Sequence, residues 1–410
     1  MLPAMTADIH ERTGKGPDWW HDAVFYHVLV DRFRRGGDAP LLGDPAEPVF
    51  CGGNLAGVTD SLDYLRDLGI TALWLSPINC TAAYHGYHVT DYEDVDQRFG
   101  GMAAFDALIQ AVKPDIRIIL DWVPNHVHHT HPFFRQAAAS KRSRYRDWFS
   151  FDAHGNYLSF LGFNELPKLN LDHPEAREYM ITTALRWIDL GVDGFRLDHV
   201  VGPSLGFWRA FRDAVKQHCP STFLLGEATM MGIRYNELKT LKIPRKHWHW
   251  LRSQLGRPDC GEVMREYVQV LDGLLDFEFQ RIAKAYVAHP AGEPSIEIAQ
   301  ALLNAHHAKF PAKCVLPAFL DNHDMNRFLY EAKNKKERLR LGAELLFRQK
   351  HPPIIYYGTE VGLSQSRPIV GPYGDLAARQ MMPWKNQDKA LLAFFVDLIH
   401  QRRGRYPSRL

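Results

Sequence analysis

Short apolar runs rich in β-branched residues alternate along the chain with longer segments whose apolar residues recur every three or four positions. The short runs predict buried strands, and the longer segments predict amphipathic helices. Helices are predicted, for example, at Leu62–Gly69, Glu175–Leu190 and Phe207–His218. The predicted strands are Ala23–Val30, Thr71–Leu75, Arg117–Asp121, Gly194–Asp198, Thr222–Glu227, Gly273–Phe277, Val315–Leu320 and Pro353–Tyr357.

This alternation predicts an α/β fold with a parallel sheet. Eight βα units in 410 residues favour a (β/α)8 TIM barrel, in which functional groups lie at the carboxyl ends of the strands. The alternative is a doubly wound open sheet, which would place a glycine-rich phosphate-binding turn after the first strand. The segment Asp31-Arg-Phe-Arg-Arg35 contains no glycine, so the barrel is the favoured prediction.

One connection is much longer than the others. Between the third and fourth predicted strands, residues 127–171 are rich in histidine, arginine and aromatic side chains. Long connections in compact domains are usually functional or carry structure of their own. We therefore predict a small inserted domain at 127–171, between the third strand and the third helix. The catalytic barrel is predicted at 21–126 and 172–410, preceded by an N-terminal tail at 1–20.

Composition narrows the class of protein. Hydrophobic residues make up 46% and charged residues 23% of the chain, and the net charge is only +2. This balance is typical of a globular protein and favours neither a nucleic-acid nor a membrane partner. The five cysteines are scattered without a Cys-x-x-Cys pair, and no apolar stretch has the length of a signal peptide or membrane span. We predict reduced thiols and a cytoplasmic location.

Carboxylates follow four of the predicted strands. Because an isolated charge is costly in apolar surroundings, a carboxylate after each buried strand indicates one shared pocket at the carboxyl ends. Asp198, Glu227 and Asp324 would converge there, and two of them could form the acid and nucleophile pair of a glycosidase. The segments are Asp121–His126, Gly194–Asp198, Leu224–Glu227 and Phe319–Asp324.

Each carboxylate has a plausible role and an ordinary alternative. Strand alternation puts Arg196 on the same face as Asp198, where it would lower the pKa of a nucleophile; a structural ion pair is the alternative. A water-poor site would raise the pKa of Glu227 and make it a proton donor, unless it merely pairs with a lysine. Asp324 would stabilise a developing oxocarbenium ion or bind sugar hydroxyls.

Histidine and tyrosine side chains complete the predicted pocket. His126 and His323 each adjoin an asparagine at a strand end, where an imidazole can hydrogen-bond a sugar hydroxyl. Gly86 allows a tight turn that would present Tyr87 as a stacking platform for a sugar ring. The histidines from His126 to His131 resemble a metal-binding tract, but their position at the rim of a loop favours a solvated face, and the spacing of His126 and His323 gives no support to a metal site, so none is predicted.

With these residues in hand, the chain resembles the α-amylase family, glycoside hydrolase family 13, from about Ala23 to Arg403. The four acidic segments match conserved regions of that family in order. A fifth match, Leu166-Pro-Lys-Leu-Asn170, is similar to the neopullulanase and cyclomaltodextrinase group. Further matches to this group are Ser143–Phe149, Phe207–Arg212 and Ile355–Glu360.

The resemblance implies a mechanism. Asp198 would be the nucleophile, Glu227 the acid/base and Asp324 the transition-state stabiliser of a retaining hydrolase. Its substrates would be α-1,4-linked glucooligosaccharides or small cyclic glucans, cleaved through a covalent glucosyl-enzyme intermediate. Transfer to a sugar acceptor is the alternative; an inactive binding relative is disfavoured because all three carboxylates are retained. The implied substrate-binding residues are Tyr87, His126, Arg196, His323, Asp121 and Arg327.

The sequence also departs from the family pattern. Asn125 is a calcium ligand in many α-amylases, but Gly202 stands where they carry a second ligand residue, so neither calcium nor another cofactor is expected. The N-terminal and C-terminal modules of the neopullulanase group have no counterpart here, which would leave a short, open cleft. Apolar residues of the last helix that lose this cover would favour a homo-oligomer.

Overall fold

The apolar runs form strands in a computed structural model that describes residues 18–228 and 260–405. In these two ranges β3 and β4 pair as an antiparallel ribbon, and the other strands form one parallel sheet in the order β8-β7-β6-β5-β2-β1-β10-β9. The strands are β1 (Phe25–Val28), β2 (Ala72–Leu75), β3 (Asn79–Thr81), β4 (Val89–Val95), β5 (Arg117–Trp122), β6 (Gly194–Leu197), β7 (Phe223–Gly226), β8 (Gly273–Leu274), β9 (Ala318–Phe319) and β10 (Pro353–Tyr356).

The two outermost strands of the parallel sheet meet, so the sheet curls round on itself. Parallel bridges join Gly273 to Val315 and Asp276 to Ala318, at the flanks of β8 and β9. Every residue of β1, β2 and β6 is buried, as expected for strands covered on both faces. The predicted TIM barrel is confirmed, and each of the eight predicted strands contributes to it.

Helices follow the strands and cover the outside of the barrel. Pro174 opens α6, and the Ser204 hydroxyl caps α7 by accepting the Phe207 N–H at 3.1 Å. The three helices given as examples above match the observed ones to within two residues at each end. The described α-helices are α1 (Val30–Phe33), α2 (Leu55–Thr59), α3 (Leu62–Leu68), α4 (Gly101–Ala111), α5 (Pro132–Ala139), α6 (Pro174–Asp189), α7 (Leu205–His218), α8 (Cys260–Tyr267), α9 (Phe277–Ala283), α10 (Ile296–His307), α11 (Phe328–Glu331), α12 (Lys336–Arg348) and α13 (Lys389–Arg405).

The predicted strand Gly273–Phe277 is too long at its carboxyl end. The side chain of Asp276 accepts the N–H of Phe279 at 2.9 Å and caps α9. Phe277 is consequently the first residue of a helix, because an aspartate in the N-cap position satisfies backbone donors that would otherwise be unpaired.

Two tryptophans close the amino-terminal face of the barrel. Trp20 stacks on Phe223 with 5.0 Å between the ring centroids, and Trp19 Nε1 donates to the carbonyl of Ser221 at 3.0 Å. Both rings are buried. The packed part of the chain therefore begins earlier than residue 21, the predicted start of the barrel. The rest of the predicted tail, residues 1–17, lies outside the described residues.

The long connection at 127–171 has structure of its own. It contains α5 and antiparallel bridges, among them Phe149 to Leu169 and Ser159 to Pro167. A further bridge joins His126, at the end of the third barrel strand, to Lys168. The segment is thereby fastened to the mouth of the barrel, while its status as a separate small domain stays a prediction.

The closing helix α13 packs inward. Phe395 and Ile399 are fully buried, and Phe395 contacts Phe347 of α12 with 6.1 Å between ring centroids. Among the described helices, none has both the length and the apolar character that crossing a membrane requires.

Candidate active site

One arginine lies among three carboxylates at the carboxyl ends of neighbouring strands. Arg196 Nη1 donates to Asp121 Oδ1 and to Asp198 Oδ1, each at 2.9 Å. Its Nη2 lies 2.8 Å from Glu227 Oε2, which is close enough for an ion pair, but the angles are not those of a hydrogen bond. Arg196 and Asp121 are fully buried, and Asp198 and Glu227 are each 8% exposed. The sequence-predicted convergence of these side chains is therefore present in the fold.

The strand register brings these groups together. Asp121 of β5 is the direct partner of Arg196 in β6, so their side chains lie at the same level. Glu227 follows β7, and its N–H donates to the carbonyl of Leu197 at 3.0 Å. His199 adopts a left-handed conformation with φ of 45°, and its N–H donates to Glu227 Oε2 at 3.0 Å. A positive φ in a histidine is uncommon and is typical of functional sites.

Burial controls the protonation of the two central carboxyl groups. It raises the pKa of Asp198 well above its ordinary value against the opposing charge of Arg196, and the charges of Glu227, Asp121 and Asp324 raise it further. Burial also raises the pKa of Glu227, as predicted from its water-poor position. The prediction that Arg196 holds the pKa of Asp198 low is wrong, because burial and the neighbouring acids raise that pKa by more than the guanidinium lowers it.

Asp324 is set apart from this pair by its own partners, His323 and Arg379. Burial alone would raise its pKa, but His323, Arg379 and Arg196 outweigh that effect and hold the pKa well below the usual range. His323 Nε2 lies 2.9 Å from Asp324 Oδ2, and Arg379 Nη2 lies 3.0 Å from Oδ1. Asp324 is therefore an ionised carboxylate beside an Asp198–Glu227 pair that retains a proton more readily.

Arg379 joins the candidate site through Asp324, and sequence reasoning missed it. Besides Asp324, it donates to the carbonyl of His323 at 2.8 Å and to the hydroxyl of Tyr84 at 3.1 Å. It lies in the connection after the last barrel strand, next to Ala377 and Ala378, and no strand-end pattern marks it. A buried arginine so far along the chain becomes visible as a partner of Asp324 only in the folded structure.

Tyr87, His323 and His126 surround the carboxylates. The Tyr87 hydroxyl donates to Asp121 Oδ2 at 2.7 Å, and its ring stacks on His323 at 5.1 Å between centroids. His126 Nε2 lies 3.3 Å from the carbonyl of Tyr87, and its ring stacks on Phe160. The Tyr87 ring is thus held in place by its neighbours, and Phe160 adds an aromatic wall from the inserted segment.

Arg327 is the predicted site residue that the structure does not bring to the carboxylates. It is fully buried and donates to the carbonyls of Ala378 and Tyr357 at 2.9 and 2.7 Å. Its guanidinium lies 3.9 Å from the centre of the Tyr356 ring. The side chain holds the connection after the last strand against the barrel, and its role in substrate binding stays a prediction.

The region around Asn125 and Gly202, where the family resemblance raised the question of calcium, holds a lysine. Lys168 Nζ donates to the carbonyl of Gly202 at 2.7 Å. A Cβ added at Gly202 would lie 2.0 Å from Asn125 Oδ1, so the two residues are in direct contact. Burial lowers the pKa of Lys168, but an ammonium that donates to this carbonyl still occupies an oxygen that calcium would need. These residues do not fit a calcium ion, which requires six to eight oxygen ligands.

A parallel barrel with titratable groups at the carboxyl ends of its strands defines a TIM-barrel enzyme. The family model "Alpha amylase, catalytic domain" matches residues 27–157, 150–241 and 256–401. The chain therefore belongs to the family of α-amylase catalytic domains.

Named relatives agree with this assignment. The chain is 33% identical to "Alpha-amylase 2" of Dictyoglomus thermophilum over 95% of its length and 64% of that protein. It is 31% identical to a "Cyclomaltodextrinase" of a Bacillus species, covering 95% of this chain and 67% of that one. The chain thus spans about two thirds of the length of these relatives.

A solved structure shares the fold. The ligand-free cyclic alpha-maltosyl-(1→6)-maltose hydrolase from Arthrobacter globiformis superimposes with a TM-score of 0.79 at 30% identity. The match covers 94% of this chain and 84% of that one.

Proposed function

We propose that this protein is a retaining α-glucan hydrolase that cleaves α-1,4-glucosidic bonds in maltooligosaccharides or small cyclic glucans. The observation that carries the proposal is the shared contact of Arg196 with Asp198 and Glu227. Two carboxyl groups bridged by one guanidinium are close neighbours, and retaining enzymes need their carboxyl groups about 5–5.5 Å apart. Similarity to a cyclomaltodextrinase supports the substrate class.

The two carboxyl groups would share one proton, and their contacts indicate which of them carries it. Arg196 Nη1 hydrogen-bonds Asp198 directly, which favours the negative charge on Asp198. Glu227 has only an ion-pair contact of poorer geometry with Arg196 and accepts the His199 N–H, while burial raises the pKa of both carboxyl groups. On the strength of the Arg196 hydrogen bond to Asp198, we place the shared proton on Glu227, which acts as the acid, and leave Asp198 to act as the nucleophile.

The reaction then follows from these roles. Asp198 attacks the anomeric carbon as Glu227 protonates the glycosidic oxygen, so the leaving sugar departs and a glucosyl ester forms on Asp198. Glu227, now a carboxylate, removes a proton from water, and the resulting nucleophile opens the ester. Asp324 lies beside the pair as a fixed negative charge that would stabilise the oxocarbenium-like transition states.

A cytoplasmic location belongs to the same proposal. The chain is 31% identical over 96% of its length to the "Intracellular maltogenic amylase" of Bacillus subtilis. Cys51, Cys80, Cys219 and Cys314 are free thiols, which fits a reducing compartment.

The experiment that tests the proposal combines one substitution with product stereochemistry. We expect Asp198→Asn to lose at least three orders of magnitude in kcat on maltohexaose while its circular dichroism is unchanged. Asp189→Asn, which changes an exposed aspartate of α6, is the matched control and should retain full activity. Proton NMR of the wild-type reaction should show the α-anomer first; a β-anomer, or an Asp198→Asn variant within tenfold of wild type, would refute the proposal.

A further inference from the structure

A second buried cluster of polar side chains lies between the barrel and α10. Asp276 follows β8, and His306 and His307 are the last two residues of α10. His306 Nε2 lies 3.1 Å from Asp276 Oδ1, and His307 Nε2 lies 2.8 Å from Oδ2. The cluster shares no residue with the carboxylates around Arg196, and the proposed function assigns it no role.

The carboxylate at its centre requires a positive partner. Asp276 is fully buried, and a buried carboxylate is costly unless it is paired or bound to a metal. Within residues 18–228 and 260–405, no lysine or arginine forms an ion pair with Asp276. The groups that face its two oxygens are the imidazoles of His306 and His307 and the N–H of Phe279.

The donor set suits a first-row transition metal. Two imidazole nitrogens and a carboxylate are ligands that zinc and its neighbours accept. Their ligand atoms all lie within 4.8 Å of one another. Bonds of about 2.0–2.1 Å in a tetrahedral site place neighbouring ligand atoms roughly 3.3 Å apart, so small shifts of these side chains would admit an ion.

Surrounding contacts hold the ligands in place. The Phe279 N–H donates to Asp276 Oδ1 at 2.9 Å, which fixes the carboxylate at the start of α9. The His351 ring lies edge-on to His307 with 4.6 Å between centroids, and its Nδ1 accepts the Leu316 N–H at 3.3 Å. Hydrogen bonds to a ligand, such as that from Phe279 to Asp276, orient the metal-binding side chains in known sites. His306 and His307 are 5% and 15% exposed, so an ion here would be enclosed by protein.

We propose that Asp276, His306 and His307 bind a divalent transition-metal ion of the zinc type. The ion would neutralise the buried carboxylate and tie the carboxyl end of α10 to the junction of β8 and α9. Its role is structural, because the ligands are enclosed and distinct from the catalytic groups. The inference does not rest on the proposed hydrolase function.

Metal binding is measured on the whole protein after treatment with a chelator. Zn²⁺ is the probe for stoichiometry by equilibrium dialysis, and Co²⁺ is the probe for the visible spectrum of a four-coordinate site. The test variants are His306→Gln and His307→Gln. His218→Gln is the matched control, because His218 makes a comparable contact of 2.7 Å with Asp189 on the surface.

We expect wild type and His218→Gln to bind one more equivalent of Zn²⁺ than either test variant, with a melting temperature that rises by a few degrees on adding Zn²⁺. Affinity at this site should fall at least tenfold in His307→Gln, whose more exposed side chain makes misfolding less of a concern. Equal stoichiometry in wild type and His307→Gln, or a melting temperature that Zn²⁺ leaves unchanged in wild type, would overturn the proposal.

Discussion

At the scale of single residues, the guanidinium of Arg196 divides one positive charge among Asp121, Asp198 and Glu227. The arrangement is useful for catalysis and costly for stability, because the pair Asp198–Glu227 cannot easily carry two negative charges in a buried site. Active sites commonly keep such destabilising groups, since function depends on them.

Glu227→Gln should therefore abolish general-acid catalysis and stabilise the fold at neutral pH. Burial raises the pKa of Glu227, so its favourable contribution is present below the unfolded-state pKa and is lost as the pH rises through the raised folded-state pKa. Thermal melts of wild type and variant at acidic and neutral pH measure this difference. From acidic to neutral pH, we expect the melting temperature of the variant to rise by a few degrees relative to that of wild type. A relative fall over the same pH range would contradict the raised pKa of Glu227 as the cause.

The proposed catalytic residues could be located from the sequence because each acid follows a strand that is recognisable from its apolar run. Asp198, Glu227 and Asp324 needed only the barrel rule to be placed together. Arg379 and Arg327 show where this reasoning ends. Arg379 contacts Asp324 and Arg327 does not, and the difference depends on how the connection after β10 folds back, which no local pattern encodes.

At the scale of elements, Lys168 links the long segment 127–171 to the connection after β6 through the Gly202 carbonyl. This contact is the reason to expect that the protein does not depend on calcium. Because the ammonium occupies the Gly202 carbonyl, dialysis against EDTA should leave activity and melting temperature nearly unchanged. A fall of many degrees that calcium restores would show that calcium ligands exist in this segment after all.

The substitution Lys168→Met tests the same contact by removing the ammonium group that donates to Gly202. It leaves the half-buried Gly202 carbonyl without its donor, which should cost about 1 kcal/mol in the free energy of unfolding. Lys141→Met, on an exposed lysine of the same segment, is the matched control and should change it by less than about 0.5 kcal/mol. Chemical denaturation of wild type and the two variants measures the free energy of unfolding. Equal losses in both variants would show that the Lys168 contact with Gly202 does not stabilise the fold.

Element ends were harder to predict than the elements themselves. The eight barrel strands are marked by apolar runs that both faces of a parallel sheet require. Their ends depend on side-chain capping, and Asp276 turns the predicted end of the sixth barrel strand into the first turn of α9. An aspartate after an apolar run can end a strand or supply a functional group, and the local sequence does not distinguish the two.

At the scale of the whole molecule, the barrel has a functional face and a face that serves stability. The active-site carboxylates lie at the carboxyl ends of the strands, while Trp19 and Trp20 pack against Phe223 at the amino ends. In TIM barrels the first face supports chemistry and the second supports the fold. Substitutions at the two faces should accordingly have separable effects.

Trp20→Ala should lower the free energy of unfolding by about 3–5 kcal/mol, because it removes a large buried ring from the base of the barrel. The folded fraction should keep a kcat close to that of wild type. Trp20→Phe, which retains a ring to stack on Phe223, is the control and should lose much less stability. Denaturation curves and active-site titration together measure both effects; a loss of kcat in folded Trp20→Ala would contradict the separation of the two faces.

The central claim, that Asp198 is the nucleophile of a retaining glycosidase, is tested most directly by trapping its covalent intermediate. A fluorinated α-glucosyl fluoride slows breakdown of the intermediate, and its leaving group needs little acid assistance. After incubation and proteolysis, mass spectrometry locates the adduct. We predict one glucosyl adduct, on the peptide that carries Gly194–Asp198 and at the carboxylate of Asp198; an adduct on Glu227, Asp324 or another residue would contradict the mechanism.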